Sequence, residues 1–153
     1  PTNGNSAPRS EIMLLTQRSI LYTDFENQSM IAGLVKTSPV ASADGLTYIY
    51  QLKPGPEWDD KTPFTFEDVL FTAKAYLCPL VNDPAVKTYW RNLKNIIQDE
   101  NDKNKFQVIM KAKNIQNQYW FGSFPVLQRK FHDPKNILAN YSLEQFNDTS
   151  FRA

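Results

Sequence analysis

Cysteine, histidine and glycine are scarce in this chain of 153 residues, and their scarcity excludes several kinds of site. The only cysteine, Cys78, has no partner for a disulfide within the chain, and we expect it to pack as a small buried apolar side chain. The only histidine, His132, stands in a polar stretch beside a proline, and no Ser-His-Asp, Cys-His or zinc-ligand spacing can be assembled around it. The five glycines form no phosphate-binding loop. The sequence therefore predicts a protein that is not an enzyme and uses no cofactor.

The chain also lacks a long apolar run and an excess of charge of either sign. Crossing a bilayer as a helix takes about 20 mainly apolar residues, and no stretch approaches that length. No signal peptide is present, but the first residue is Pro1, so we expect the chain to be a piece of a longer or processed protein. The net charge of +1 gives no general reason to expect nucleic acid or an anionic membrane as a partner.

One short basic pattern nevertheless resembles a nucleic-acid contact. Lys87, Arg91 and Lys94 recur at helical spacing, and two aromatic residues, Tyr89 and Trp90, lie between them. We interpret the aromatic residues as part of a buried helical stripe and the cations as its solvated face. No nucleic-acid partner is therefore expected.

Aromatic residues are abundant, with ten phenylalanines, seven tyrosines and three tryptophans. Apolar residues make up 41% of the chain and charged residues 22%, which is ordinary for a globular protein. Most of the aromatic residues are expected in a core, and a minority could line a binding cleft. Residues 1–9 are polar and rich in helix and strand breakers, so we predict a loose leader there. Residues 10–153 are long enough for a single domain with a real core.

Residues 47–76 predict a strand, a turn and an amphipathic helix. Apolar and polar residues alternate over 47–52, and the Lys53-Pro54-Gly55-Pro56 run must end that strand because proline cannot donate to a sheet. Thr65 is a predicted N-cap, and Asp68 stands in the first turn, where the helix dipole favours an anion. The apolar face of the helix is predicted to consist of Phe66, Val69, Leu70, Ala73 and Leu77.

Trp58 lies between that proline-rich turn and two adjacent carboxylates, Asp59 and Asp60. We expect Trp58 to be a packing residue that holds the turn against the helix rather than a ligand contact. The two carboxylates are expected to make turn hydrogen bonds, which is a more common role for such a pair than binding a metal or transferring protons.

Turn signals divide the rest of the chain. Asp44-Gly45 favours a hairpin that joins Pro39-Val40 to the strand over 47–52. An extended stretch over 93–98, a charged loop and an alternating return strand (Phe106, Val108, Met110 and Ala112) predict a second hairpin over 93–112. Asp83-Pro84 predicts a helix start. In the first part of the chain we expect a helix after Ser10, a strand over 20–22 and either a helix or a strand over 30–35. In the second part we expect a helix over 115–121 and an extended run over 124–127. From Phe131 we expect a loop with two helical turns, which begin at Asp133-Pro134 and at Ser142.

The central part of the chain resembles a known family. The matching runs are DGLTY at 44–48, LKPG at 52–55, WDDKTPFT at 58–65 and EDV at 67–69. The family is the extracellular solute-binding proteins of family 5, which serve ABC importers of oligopeptides, dipeptides and nickel, and its members typically read DGLTYTF, LRPGVKW and DGTPFTAEDV. Lys61 stands where that pattern has glycine. If this position takes a positive φ, lysine costs about 1 kcal/mol there.

The resemblance implies a fold and a role. The fold would be α+β, with a small, mainly antiparallel sheet and packed helices, as a subdomain of the type II periplasmic-binding-protein-like fold. The chain would be a fragment of the first of two lobes. The parent protein would capture a peptide or a similar small solute outside the cytoplasmic membrane, in the periplasm or at the cell surface, with or without a lipid anchor. Its partner would be the membrane permease of an ABC transporter, and most ligand contacts would lie outside this fragment.

The resemblance also assigns residues. In peptide-binding members an aromatic residue from the region after the Asp83-Pro84 helix start can reach the ligand, which points to Tyr89 and Trp90. Within the matching motif, Trp58, Pro63, Thr65 and Asp68 are expected to be structural.

The sequence is also consistent with a different class of function. The chain could be a stand-alone interaction module whose aromatic surface docks a partner protein, and a contiguous exposed apolar patch that includes Tyr119 and Trp120 would favour it.

Overall fold

The computed structural model of the chain describes residues 17–24, 26–27, 29–81 and 84–148. The predicted leader, the predicted helix after Ser10 and the predicted N-cap Asp83 lie outside these residues. Within the described part, no helix has the length and apolarity that a membrane span requires.

Two antiparallel sheets organise the described residues. The smaller pairs β1 (Leu21–Asp24) with β2 (Ser29–Ala32), so the stretch that the sequence left open between helix and strand begins as a strand. The larger sheet has four strands in the order β3, β4, β6, β5. These strands are β3 (Val40–Ala41), β4 (Thr47–Gln51), β5 (Leu93–Gln98) and β6 (Lys105–Met110).

Both predicted hairpins of the larger sheet are confirmed. Val40 pairs with Ile49 across a turn in which Gly45 has a φ of +70° and the Asp44 carboxylate accepts the amide of Leu46 at 2.9 Å. The second hairpin pairs β5 with β6 over the predicted range. β6 alternates strictly between half-buried and buried residues, as a strand with one face on a core should.

Helices cover one face of the larger sheet. The predicted helical turn at Ser142 is confirmed, since Ser142 and Gln145 form a capping box. The helical turn predicted to begin at Asp133-Pro134 begins later, as a 3₁₀ segment over Ile137–Asn140, and the Asp133 carboxylate accepts the amides of Ile137 and Leu138 at 2.7 and 2.8 Å. The helical segments are α1 (Phe66–Leu77), α2 (Pro84–Trp90), α3 (Asn117–Ser123), α4 (Arg129–His132), the 3₁₀ segment (Ile137–Asn140) and α5 (Leu143–Asn147).

Two helix predictions need correction. The helix expected over 115–121 lies two residues further along, and the expected extended run follows it from Phe124, which has β dihedral angles. The polar loop in which His132 was placed is helical there, as part of α4. A four-residue helix has no apolar periodicity from which it could have been recognised.

The core is a cluster of aromatic side chains between the sheet and the helices. Tyr50 of β4 stacks on Phe106 of β6, with ring centroids 5.2 Å apart and planes 7° apart. Phe121 of α3 lies 5.3 Å from Tyr50, and Phe66 of α1 lies 5.7 Å from Phe106. Such pairs contribute about 0.5–1.5 kcal/mol each beyond the burial of their area, so they fix how α1 and α3 sit on the sheet.

The start of α1 is fixed by the buried carboxylate of Asp68. Its Oδ2 accepts the backbone N–H of Thr65 at 2.9 Å and the indole N–H of Trp58 at 3.3 Å. Its Oδ1 accepts the backbone N–H of Arg129, the first residue of α4, at 2.9 Å. One side chain therefore caps α1 and ties it to two distant segments, which is the arrangement that charge-assisted hydrogen bonds favour.

Residues 58–62 form a tight hairpin that needs a left-handed residue. The amide of Lys61 donates to the carbonyl oxygen of Trp58, and the amide of Trp58 donates to that of Thr62, both at 2.9 Å. A three-residue loop of this kind combines a type I turn with one left-handed residue. Lys61 holds that position, with a φ of +64°. This is the position at which the family pattern has glycine.

Replacing Lys61 by glycine should stabilise the chain. Glycine adopts a positive φ without a Cβ clash, so Lys61→Gly should raise the free energy of unfolding by about 1 kcal/mol in urea denaturation. Lys61→Ala is the matched control, because it removes the same ammonium group and keeps the Cβ. An equal gain in both variants would attribute the effect to charge rather than to the backbone.

Removing the Asp68 carboxylate should lower the free energy of unfolding by far more than the Lys61 substitution raises it. Asp68→Ala leaves three partly buried N–H donors without this acceptor and should lower the free energy of unfolding by about 3 kcal/mol. Glu67→Ala removes an exposed carboxylate from the same helical turn and should cost less than about 0.5 kcal/mol. Equal losses in the two variants would show that the helix dipole, and not the hydrogen bonds, is responsible.

Candidate ligand-contact site

Two stacked aromatic rings form a flat surface where α2 meets α3. Tyr89, in the last turn of α2, and Trp120 of α3 have ring centroids 4.0 Å apart and planes 16° apart. Tyr89 is 39% exposed, and Trp120 is partly buried. Phe124 lies 6.0 Å from Tyr89 and extends the cluster inward. We call the pair Tyr89 and Trp120 the aromatic shelf.

The structure gives the two predicted contact residues different positions. Tyr89 faces solvent on the shelf, whereas Trp90 is only 5% exposed. The Trp90 ring packs against Tyr76, Phe121 and Phe124, with centroids 5.1 to 5.7 Å away. Adjacent residues of a helix point about 100° apart, so only one of the two can lie on the outer surface. Trp90 supports the shelf from below.

The indole N–H of Trp90 is a buried donor with no hydrogen-bond partner among the described residues. The space beneath the shelf, which Trp90 lines together with Met110 and Asn117, has a volume of about 10 Å³. That is close to the smallest volume that can hold one water molecule.

A network of asparagines that the sequence did not predict positions the shelf. The Asn92 amide nitrogen donates to the Ala112 carbonyl oxygen at 2.9 Å and to Asn117 Oδ1 at 2.7 Å. Asn92 Oδ1 accepts the Ala112 amide at 2.9 Å, and Asn117 Nδ2 donates to the Ala112 carbonyl oxygen at 3.0 Å. Asn92 follows α2 and Asn117 begins α3, so these bonds hold the end of one helix beside the start of the other. No local sequence signal marks such a contact between residues 25 positions apart.

The shelf is suited to binding a flat group. Its exposed ring offers a stacking surface, and an amphipathic ring of this kind can bind a flat group of a ligand. Among the described residues, no group of three or more His, Cys, Asp or Glu side chains is placed to hold a metal ion.

The side chains predicted to be structural lie together at a second place. Trp58 packs edge-on against Phe64 with centroids 6.0 Å apart, in addition to its bond with Asp68. Pro63 forms an antiparallel bridge with Glu57 beside this contact. Thr65 then leads into α1.

An open groove of about 550 Å³ runs along the exposed side of Trp58. Arg18 and Lys53 line it together with Glu57 and Asp59. The Lys53 ammonium is already used within the fold, since it donates to the Gly33 carbonyl oxygen at 2.8 Å.

Asp60 fastens the tip of the 58–62 hairpin to the residues around the start of α4. Its Oδ1 accepts the Thr62 amide at 3.0 Å, the Thr62 hydroxyl, and the Gln128 side-chain amide at 3.0 Å. The Lys130 ammonium lies 3.5 Å from Oδ2. The hydrogen bonds from Thr62, then that from Gln128, and the charge of Lys130 lower the pKa of Asp60 to about 2.

Residues 30–148 match the family model of the bacterial extracellular solute-binding proteins, family 5 Middle. No curated protein matches the chain.

Three solved structures with the same fold show what the chain is similar to. The oligopeptide-binding protein AppA from Bacillus subtilis, in complex with a nonapeptide, matches with a TM-score of 0.71 and 20% identity over 97% of this chain and 27% of that one. CtaP from Listeria monocytogenes, an ABC transporter substrate binding protein, matches with a TM-score of 0.69 and 19% identity over 85% of this chain and 26% of that one. NikZ from Campylobacter jejuni, in complex with Ni(L-His), matches with a TM-score of 0.67 and 23% identity over 88% of this chain and 25% of that one.

These likenesses confirm the predicted fold class, an α+β subdomain of a periplasmic-binding-protein-like fold. The chain spans about a quarter of the length of the structures it matches.

The Asp60 contacts should make part of the stability depend on acid pH. The folded-state pKa is depressed, so the stabilisation is fully present above the ordinary aspartate pKa of 3.8 and is lost as the pH falls towards about 2. Asp60→Asn should therefore be less stable than the parent chain at pH 5, and the difference should shrink between pH 4 and pH 2 in thermal unfolding. Asp59→Asn, at the exposed neighbouring carboxylate, is the control. A difference for Asp60→Asn that does not vary over this pH range would refute the assignment.

Proposed function

The chain belongs to the bacterial extracellular solute-binding proteins of family 5, and we propose that it is part of the substrate-binding component of an ABC importer. The family consists of binding proteins of the periplasm or the cell exterior. The parent protein captures a peptide or a similar small solute outside the cytoplasmic membrane and delivers it to a membrane permease. The observation that carries this proposal is the family match over residues 30–148.

A peptide is the ligand that we favour. The similar fold of AppA was solved with a nonapeptide, and that match extends over nearly all of this chain. A peptide also suits the chemistry of the shelf, because an aromatic ring can pack on apolar or flat side chains of many kinds. Backbone hydrogen bonds and hydrated pockets elsewhere in the parent would supply the remaining affinity without narrow specificity.

The fragment would act as one wall of a clamp. We assign it to the first lobe, as a single subdomain that presents Tyr89 to the ligand and buries Trp90 beneath it. A ligand shifts an equilibrium between open and closed lobes only as far as it binds the closed form better. Since most of the clamp lies outside this chain, the isolated chain should bind peptide more weakly than low-micromolar affinity.

The identity of the ligand is tested by native mass spectrometry of the full-length parent protein, purified without denaturation from its envelope fraction. A co-purifying set of short peptides supports the proposal. A single defined small molecule would support the solute-binding role and would identify that molecule, and not a peptide, as the ligand. A bound protein partner with no solute would instead favour the interaction module, in which Tyr119 and the partly buried Trp120 dock a partner.

The role of Tyr89 is tested by truncating its ring in the parent protein. Tyr89→Ala should weaken peptide binding about tenfold by isothermal titration calorimetry, because the loss of one aromatic contact costs about 1.4 kcal/mol. Tyr22→Ala is the matched control, since Tyr22 is 36% exposed on β1, outside the shelf. Unchanged affinity in Tyr89→Ala would place the ligand away from the shelf.

A further inference from the structure

The segments that carry the shelf contain basic residues and no acidic ones. Residues 84–98 include three Lys or Arg residues, and residues 103–132 include six. Neither segment contains any of the 16 Asp and Glu residues of the chain. These two stretches of sequence therefore carry nine cations although the net charge of the chain is only +1.

Two of these cations flank the shelf and are not neutralised within the described part of the chain. Lys105 and Lys130 pair with Asp99 and Asp60, but no carboxylate among the described residues lies within salt-bridge distance of Lys87 or Arg91. The Lys87 ammonium donates to the Pro79 carbonyl oxygen at 3.1 Å, which leaves its charge in place. Arg91 is exposed.

Lys87 and Arg91 act on the shelf through their electrostatic field and not by direct contact with a ligand. Lys87 and Arg91 stand two residues before and after Tyr89, so their backbones are about 5 Å from that of Tyr89 by helix geometry. Their side chains leave α2 on the side opposite the tyrosine. The Debye length is about 8 Å at physiological ionic strength, so the charges still act at the shelf although they do not touch a ligand there.

The unpaired polar group under the shelf is a hydrogen-bond donor, and a donor does not attract a cation. The unpartnered indole N–H of Trp90, which is more than nine-tenths buried, can only donate. The nearby amides of Asn92 and Asn117 are bonded to each other and to Ala112. The site thus combines an exposed stacking surface with nearby positive charge, and no carboxylate is among the described residues that line the space beneath it.

We propose that the aromatic shelf binds a flat or aromatic group that lies next to a carboxylate, and that it discriminates against cationic ligands. The proposal rests on the proposed solute-binding function and names the chemical class of ligand for that site. An aromatic face by itself attracts cations. Lys87 in α2 and Arg91 directly after it reverse that preference.

Three probes with the same ring and different charge test the proposal. N-acetyl-L-phenylalanine is anionic, N-acetyl-L-phenylalaninamide is neutral and L-phenylalaninamide is cationic at pH 6. Each is titrated into the ¹⁵N-labelled 153-residue chain while the indole N–H resonances of Trp58, Trp90 and Trp120 are followed. We expect the Trp90 and Trp120 resonances to shift, with binding of the anion about fivefold tighter than that of the cation at 10 mM salt and about twofold tighter at 0.5 M.

Variants that lack individual charges test whether Lys87 and Arg91 cause the preference for the anionic probe. Lys87→Gln with Arg91→Gln should bring the anion and the cation to within twofold of each other. Lys135→Gln removes one exposed cation from outside α2 and should leave the preference unchanged.

The possible failures are distinguishable. Equal or tighter binding of the cation would overturn the charge preference and leave the shelf as a ligand contact. Shifts confined to Trp58, or no shift with any probe, would overturn the shelf itself. Solute binding by the parent protein, measured by mass spectrometry, would stand or fall independently of either result.

Discussion

The buried carboxylate of Asp68 is the interaction on which the arrangement of the helices depends. Removing such a charge from water costs several kcal/mol, and this cost is offset only because three N–H donors and the dipole of α1 converge on it. The donors belong to Trp58 in the hairpin, Thr65 at the start of α1 and the distant Arg129 at the start of α4. The hairpin, α1 and α4 therefore cannot shift independently. Asp60 adds a second, solvent-exposed tie between the same hairpin and α4.

The aromatic shelf depends on a continuous series of ring contacts that begins at the sheet. Tyr50 lies against Phe121, Phe121 lies against Trp90, and Phe124 connects Trp90 to Tyr89, the residue that faces solvent. The asparagine pair at the ends of α2 and α3 fixes the angle between these helices. A surface held in this way loses little conformational entropy when a ligand binds. That rigidity suits one wall of a clamp whose other wall moves.

Local features of this fold were predictable from the sequence, and contacts between distant segments were not. The Asp44-Gly45 turn and the Thr65 helix start each follow from a few neighbouring residues, whereas the positive φ of Lys61 is indicated only by the glycine of the family pattern. The bond from Arg129 to Asp68 and the stacking of Trp120 on Tyr89 join residues 61 and 31 positions apart, and no periodicity encodes them. Helical spacing placed Tyr89 and Trp90 on one face, and only the packing of α3 shows which of the two is outermost.

The three tryptophans sit in three unlike surroundings, one in each functional part of the molecule. Trp58 donates to a carboxylate, Trp90 is enclosed with a free N–H, and Trp120 is covered by a tyrosine ring. Indole emission responds to nearby charge, to the polarity around the ring and to stacked neighbours. The protein thus carries built-in optical reporters for its hairpin, its core and its shelf, and variants with a single tryptophan would let each part be observed separately during refolding or titration.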